Sequence, residues 1–146
     1  MIPDYVLFHY DEIGLKGGNR PYFERKLKQN IKAVLPPGTF TSIKTIQGRL
    51  VGKLTEDAQF EFYHFTSVIK KVFGLAYFAP AVRCTQNEEM ISDTAVSLLS
   101  ELSFSTFRIT ARRSGPDVPL STQKLNEYVG ACVVEKLKKK FSKIKF

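Results

Sequence analysis

Arginine and lysine are the residues whose number and spacing indicate chemistry in this sequence, and that chemistry is the binding of a polyanion. Residues 108 to 146 hold ten basic and three acidic side chains, whereas residues 1 to 107 have a net charge of only +1. Lysines near a helix C-terminus each stabilise the helix by about 0.3–1 kcal/mol, but like charges four residues apart cost about 0.2–0.5 kcal/mol. Seven lysines after residue 120 exceed what a helix needs. We therefore expect a polyanionic partner, with nucleic acid first, although a basic surface that faces only solvent explains the same run.

A strand, a polar loop and a helix are predicted to position this charge. From Phe107 to Arg112 apolar and polar residues alternate with the period of a half-buried strand, so the outer face of that strand is basic. Ser121 or Thr122 is placed to cap the helix that follows. One apolar stripe recurs at helical spacing along this helix: Leu125, Val129, Cys132, Val133 and Leu137.

The first half of the chain predicts the element order βαββαβ. The strands are Tyr5 to Tyr10, Phe40 to Ile46, Arg49 to Leu54 and Leu75 to Val82; one helix begins after Asn19, and the other runs from Ala58 to Val72. The inconsistent parity of Ile43 and Ile46 indicates a β-bulge. Short connections and right-handed crossovers fold this order most simply into a four-stranded antiparallel sheet with two helices on one face, a ferredoxin-like unit.

The second half predicts the order αβαβ. A capping box from Thr85 to Glu88 begins an amphipathic helix, and the basic strand and helix follow. The alternation from Lys143 to Phe146 indicates a last strand that has only begun. Two strands leave an apolar sheet face that is hard to cover, so we expect a fragment of a longer protein. The predicted fold class is α+β, with domains at residues 1–75 and 76–146.

Catalytic and metal-binding groups are not indicated. His9 and His64 have no ligand at metal-binding spacing, and Cys84 and Cys132 are expected to be reduced structural thiols. The stretch Ser114-Gly115-Pro116-Asp117 is similar to the loop of PP-loop ATPases, but its proline removes an N–H where that loop binds pyrophosphate. Neither a signal peptide nor a membrane span is indicated, so we expect a cytoplasmic protein with no membrane partner.

Two short stretches suggest RNA contacts of different kinds. The loop from Gly14 to Gly18, with Lys16 inside it and Arg20 beside it, can present backbone N–H groups to a phosphate, or it is simply a tight turn that needs glycine. The stretch from Lys71 to Phe78 superficially resembles the RNP1 pattern of RNA-recognition motifs. It lacks the glycine and one stacking aromatic of that pattern, so we give it little weight.

Three stretches resemble one family. Residues 10–23 read YDEIGLKGGNRPYF, which resembles the YGEIxLKGxNRxxF opening of tRNA 4-thiouridine synthetases, also called tRNA sulfurtransferases. Residues 71–75 resemble the KxVFGI turn of that family, and residues 106–130 resemble the core of its THUMP domain. Asp11 departs from the pattern, because the family usually has glycine there. The resemblance runs from the first predicted strand to the last residue.

The resemblance implies a ferredoxin-like domain and a THUMP domain that hold the acceptor arm of tRNA, including its CCA end. A following PP-loop domain would use ATP and Mg²⁺ to adenylate uridine 8, and a cysteine desulfurase would supply the sulfur. We expect that domain to lie outside these residues, so that the chain alone holds no cofactor and is non-catalytic. The RNA contacts carried over by resemblance are Lys16, Arg20, Arg112, Arg113, Ser121 and Lys124.

Two other interpretations stay open. The chain is alternatively a ferredoxin-like protein-interaction domain whose lysines keep it soluble, forming a homodimer through the unfinished strand from Lys143. It is also alternatively the THUMP module of another RNA-modifying enzyme, such as a methyltransferase, pseudouridine synthase or deaminase. The stretch around Lys16 and Arg20 argues against this last alternative.

Overall fold

The chain divides into two compact units, Ile2–Arg83 and Cys84–Phe146. The computed structural model describes residues 2–11, 18–113, 115 and 121–138. The predicted boundary after residue 75 is too early, because the last strand of the first unit, Leu75–Ala81, pairs with its first strand. A division at residue 75 would remove an edge strand from the sheet.

The N-terminal unit, Ile2–Arg83, has the predicted ferredoxin-like order βαββαβ. Its elements are β1 (Tyr5–Tyr10), α1 (Arg20–Val34), β2 (Phe40–Ile46), β3 (Arg49–Leu54), α2 (Glu56–Ile69) and β4 (Leu75–Ala81). The strands lie in the order β2-β3-β1-β4, and all neighbours are antiparallel. The fold prediction is confirmed for this unit, and α2 begins and ends slightly earlier than predicted.

Alternate strand residues form the core of the N-terminal unit. Val6 and Phe8 of β1 and Leu50 of β3 are fully buried, and they pack with Ile31 of α1 and Phe62 of α2. Both helices therefore cover one face of the sheet. The strand residues of opposite parity point to the other face, which no described helix of this unit covers. We call this surface the open sheet face; it includes Tyr5, Leu7, His9, Lys44, Val51, Lys53 and Tyr77.

Two turns fix the register of this sheet. Gln47 and Gly48 both have positive φ, 49° and 76°, as the tight turn between two antiparallel strands requires. Gly74, with φ 89°, lies in the turn that leads into β4. It is four residues beyond Lys70, the C-cap of α2, so it does not end that helix.

The register of β2 shifts between Phe40 and Ser42, but it is regular from Ser42 to Ile46, so the bulge predicted from the parity of Ile43 and Ile46 is not between those residues. Ile46 instead pairs with Arg49 and lies on the opposite face from Ile43.

The C-terminal unit, Cys84–Phe146, contains α3 (Glu88–Ser100) and α4 (Thr122–Lys136). Its small core consists of buried Val129, Val133 and Leu137, against which half-buried side chains of α3 and of residues 104–109 pack. The Lys136 Nζ atom also donates to the Asp93 carboxylate at 2.7 Å, which ties α4 to α3. The described residues contain no helix with the length and apolarity that crossing a bilayer requires.

Residues 107–112 are not a strand in the described structure, in contrast to the prediction. Their burial alternates as predicted, with Phe107, Ile109 and Ala111 half-buried. A strand needs a hydrogen-bonded partner, and no described segment of this unit pairs with them. Instead, the Ala111 N–H donates to the Asn126 Oδ1 atom of α4 at 2.6 Å. The predicted strand from Lys143 lies outside the described residues.

The start of α3 also differs from the prediction. Asn87, rather than Thr85, is the N-cap, and its Oδ1 atom accepts from the Glu89 and Met90 N–H groups. An asparagine carbonyl satisfies the orphan N–H groups of a helix start as well as a threonine hydroxyl does. The helix that the capping box predicted is nevertheless present.

Candidate nucleic-acid interface

Arg112 and Arg113 extend from a backbone that α4 holds in place. Both side chains are exposed, and they directly follow Ala111, whose N–H is bonded to Asn126. The half-buried Phe107 and Ile109 anchor the same segment to the core of the unit. The backbone from which the two arginine side chains extend is therefore fixed beside the second turn of α4. A guanidinium can bind a phosphate through two parallel hydrogen bonds.

The N-terminus of α4 adds a second source of positive potential. Ser121 is the N-cap, and its Oγ atom accepts from the Lys124 N–H at 3.5 Å. The first turn contains no acidic residue, and the Lys124 side chain is exposed. The helix dipole and the first-turn N–H groups favour an anion at this end. The Ser121 hydroxyl therefore has a structural role as a cap beside any contact with RNA.

Four of the six predicted RNA contacts belong to the segment that α4 holds or to the start of α4 itself. The bond between Ala111 and Asn126 fixes the backbone before Arg112 beside the second turn of α4, while Ser121 and Lys124 lie at the cap and in the first turn. We call Arg112, Arg113, Ser121 and Lys124 the α4 basic cluster. The arrangement presents three cations and a helix N-terminus, which suits a polyanion.

Arg20 has a different environment in the N-terminal unit. Its Nε atom lies 3.4 Å from the Glu24 Oε1 atom, and its guanidinium carbon lies 6.0 Å from the centre of the Tyr10 ring. The Tyr10 hydroxyl donates to the same carboxylate of Glu24. Burial and this hydrogen bond to Glu24 raise the pKa of Tyr10. Glu24 offsets part of the Arg20 charge, and Lys16 lies outside the described residues.

The net charge is distributed differently when it is counted for each compact unit. The N-terminal unit, Ile2–Arg83, carries twelve basic and seven acidic side chains, whereas residues 84–146 carry ten basic and seven acidic ones. Glu88, Glu89 and Asp93 of α3 offset much of the basic run after residue 107. The larger excess, a net charge of +5, therefore belongs to the ferredoxin-like unit.

Sequence reasoning missed the open sheet face as a basic surface. Lys44 and Lys53 are exposed there, and the His9 and Tyr77 rings stack at another point of the same face, with centroids 4.2 Å apart. None of the four strands contains an aspartate or a glutamate. That absence was visible in the sequence, but only the strand register shows that the lysines and the rings share a face.

Metal ligands and free thiols complete the inventory of chemically reactive side chains in the part of the chain that the structure describes. No cluster of three or more histidine, cysteine, aspartate or glutamate side chains there could hold a metal ion. Cys84 and Cys132 are half-buried free thiols.

Two family models match the chain. The ThiI ferredoxin-like domain matches residues 5–79, and the THUMP domain matches residues 85–145. The gap between the two matches contains the division between the two compact units.

Curated relatives carry one description. The probable tRNA sulfurtransferases of Staphylococcus saprophyticus subsp. saprophyticus and of Macrococcus caseolyticus are each 33% identical to this chain over 136 residues. Each match covers 92% of this chain and 33% of the relative, so the chain spans about a third of the length of these relatives.

Solved structures share the fold and extend the comparison. A 4-thiouridine synthetase, crystallised in an RNA complex with bound ATP, matches with a TM-score of 0.72 and 23% identity, over 97% of this chain and 35% of that one. PH1313 from Pyrococcus horikoshii OT3 matches with a TM-score of 0.69 and 24% identity, over 90% of this chain and 44% of that one. With the two matched domain models and the curated relatives, the chain belongs to the tRNA sulfurtransferase, or 4-thiouridine synthetase, family, as its ferredoxin-like domain and THUMP domain.

Proposed function

We propose that this chain binds the acceptor arm of tRNA and is the substrate-recognition part of a 4-thiouridine synthetase that thiolates uridine 8. The observation that carries the proposal is the α4 basic cluster inside the matched THUMP domain. The bond between Ala111 and Asn126 fixes the backbone before Arg112 and Arg113 to α4, and Lys124 lies in the first turn, at the positive end of the same helix. Such groups bind phosphates and fix the register of an RNA helix without reading its bases.

The chemistry of thiolation belongs to the whole enzyme in this proposal. There, a PP-loop domain with ATP and Mg²⁺ activates the uridine, and a cysteine desulfurase supplies the sulfur. Support for this assignment comes from family membership and from the share of the relatives that this chain spans. The described residues contribute binding and orientation of the RNA.

Titration of the chain with a blunt acceptor minihelix, at several salt concentrations, tests the proposal. Each phosphate contact contributes a slope of roughly −0.7 to −0.9 to the dependence of log K on log salt. The triple variant Arg112→Glu, Arg113→Glu and Lys124→Glu should bind more weakly and with a shallower slope. Affinity of the wild-type chain that does not change with salt would contradict a phosphate interface.

A matched charge reversal separates a local site from bulk attraction. Lys26, Lys32 and Lys70 are exposed lysines outside the cluster, and reversing all three changes the net charge by the same amount. This control should weaken binding less than reversal of the cluster does. Equal losses would mean that net charge, rather than the α4 basic cluster, attracts the RNA.

A protein-interaction domain is the competing function. It predicts a chain that elutes free of nucleic acid, as a homodimer, with unchanged behaviour after the charge reversals. Size-exclusion chromatography with absorbance at 260 and 280 nm distinguishes the two functions. Co-elution with RNA that the cluster reversal abolishes supports the proposed function.

A further inference from the structure

The outward side of α1 and α2, which we call the helix face, carries exposed aromatic rings. Phe60 of α2 is 72% exposed and Tyr63 is 62% exposed, and Tyr22 of α1 is 65% exposed. With 3.6 residues per turn, Phe60 lies almost opposite the buried Phe62 and Ile69 on the same helix. Its ring therefore points directly away from the core. Exposed aromatic clusters of this kind are typical of surfaces that bind another protein.

The two helices of this face carry opposite charges. α1 has five basic side chains and one acidic one, whereas α2 has three acidic side chains and neither lysine nor arginine. On α1, Arg25, Lys26 and Lys32 are exposed. On α2, Asp57 and Glu61 are exposed, and only the first of them lies in the first turn, where an acid stabilises the helix dipole. The helix face thus consists of a basic strip beside an acidic strip.

The distribution of charge selects the kind of partner. A nucleic acid fits only the α1 half of the helix face, because the carboxylates of α2 repel phosphates. A partner that fits both halves must offer an acidic strip beside a basic one, at the spacing of two packed helices. A second copy of the same face has both strips at the matching spacing, so the helix face is complementary to itself.

Only one two-fold arrangement pairs the unlike charges. α1 follows β1 and α2 follows β3, and these neighbouring strands are antiparallel, so the two helices run in roughly opposite directions. A two-fold axis parallel to the helices places α1 of one copy over α2 of the other, antiparallel to it. With the helix midpoints aligned, Lys32 lies level with Asp57, and Lys26 lies level with Tyr63. An axis across the helices would place α1 on α1, where like charges repel.

The size of the helix face predicts a weak dimer. α1 has 15 residues and α2 has 14, so each is about 21 Å long at a rise of about 1.5 Å per residue. Two such helices side by side, each about 10 Å wide, present about 400 Å² in projection, compared with roughly 800 Å² per partner in a standard interface. Association through this face alone should therefore depend on concentration.

We propose that the helix face is a self-association surface, on which a second copy of this chain packs with α1 over α2 and α2 over α1. Tyr22, Phe60 and Tyr63 lie between the copies, and charged pairs such as Lys32 with Asp57 form the rim. The inference goes beyond the proposed function and does not rest on it. The helix face includes no residue of the α4 basic cluster, and the pairing needs neither RNA nor the strand predicted from Lys143.

Sedimentation velocity of the RNA-free chain over a range of concentrations tests the inference. The weight-average sedimentation coefficient should rise with concentration towards the value of a dimer. Phe60→Ala should raise the dissociation constant by roughly 30-fold or more, because each dimer loses two aromatic rings at its centre. Tyr77 is 57% exposed on the open sheet face, so Tyr77→Ala should leave the dissociation constant unchanged.

A charge swap tests the pairing of α1 with α2. The first variant reverses exposed basic residues of α1: Arg25→Glu, Lys26→Glu and Lys32→Glu. The second reverses the acidic residues of α2: Glu56→Lys, Asp57→Lys and Glu61→Lys. Each variant alone opposes like charges and should stay monomeric, with a circular dichroism spectrum like that of the wild-type chain. Mixed together, the two variants should form a heterodimer, because each α1 then faces an α2 of opposite charge.

A matched reversal on the other side of the sheet controls for net charge. Lys44→Glu with Lys53→Glu changes exposed lysines of the open sheet face and should leave self-association unchanged. Three results would overturn the inference: a wild-type chain that is monomeric at every concentration, a dimer that Phe60→Ala does not weaken, and charge variants that stay monomeric when mixed. Failure of the acceptor minihelix to bind would contradict the proposed function alone.

Discussion

The two units place positive charge in different ways. In the ferredoxin-like unit, Lys44 and Lys53 occupy fixed positions in a four-stranded sheet over a core that includes Phe8 and Phe62. In the THUMP unit, Arg112 and Lys124 depend on one helix start and on a hydrogen bond to Asn126, over three buried residues. Strand register therefore fixes the basic surface of the ferredoxin-like unit, whereas few interactions hold the basic surface of the THUMP unit.

The largest expected effect compares the two cores directly. Phe62 is 1% exposed, and Phe62→Ala should lower the free energy of unfolding by about 3–5 kcal/mol, because it removes a whole ring from the larger core. Val133→Ala in the THUMP unit should cost about 1–3 kcal/mol. Urea denaturation measures both. Phe73, which is 87% exposed, is the control, and an equally large loss in Phe73→Ala would contradict the assigned core.

The same substitution should have opposite signs at two glycines. A Cβ atom at Gly52 would lie 2.8 Å from the Phe40 ring, so Gly52→Ala should destabilise the chain by about 1–3 kcal/mol. Gly130 lies inside α4 with nothing within 4 Å of such an atom, so Gly130→Ala should stabilise it by about 0.5–1 kcal/mol. If both variants change the melting temperature in the same direction, the environment assigned to one of the two glycines is wrong.

Asn126 tests how the THUMP surface is held. Asn126→Ala removes the acceptor of the Ala111 N–H and should cost about 1–2 kcal/mol. It should also weaken binding of the blunt minihelix, because the backbone that carries Arg112 and Arg113 is then no longer bonded to α4. Asn126→Asp keeps an acceptor oxygen and should retain more of both properties. RNA affinity that is unaffected by Asn126→Ala would separate the arginines from this hydrogen bond.

The smallest effect concerns pH in the ferredoxin-like unit. Burial and the hydrogen bond to Glu24 raise the pKa of Tyr10, so the protonated phenol stabilises the fold below pH 10 and loses that contribution as pH rises through the raised pKa. Tyr10→Phe should cost about 1 kcal/mol at neutral pH. Its difference from the wild-type chain, measured by urea midpoints, should shrink above pH 10. A constant difference up to pH 11 would contradict the role of the Tyr10 hydroxyl.

The sequence predicted the ferredoxin-like unit better than the THUMP unit. Periodicity locates β1 and α1, and the turn residues Gln47, Gly48 and Gly74 locate their neighbours, because these are local signals. The segment from Phe107 to Arg112 shows a strand period without a described partner strand, since pairing depends on distant residues. Its bond to Asn126 has no sequence pattern at all.

The candidate site was predictable in type but not in full. Basic residues after position 107 indicated a polyanion, and resemblance selected Arg112, Arg113 and Lys124. Pairing of Arg20 with Glu24 was available from their spacing of four residues. The open sheet face could not be predicted from the sequence. Tyr77, His9 and Lys53 lie on one face only because strands that are far apart in the chain pair in a particular register.

Amide chemical-shift mapping with the blunt acceptor minihelix tests most directly whether the chain binds RNA through the α4 basic cluster. We expect perturbations around Arg112, Arg113 and Lys124, and around Asn126, which bonds to the Ala111 N–H. Perturbations centred on the acidic start of α2, with none around Lys124, would contradict the proposed interface.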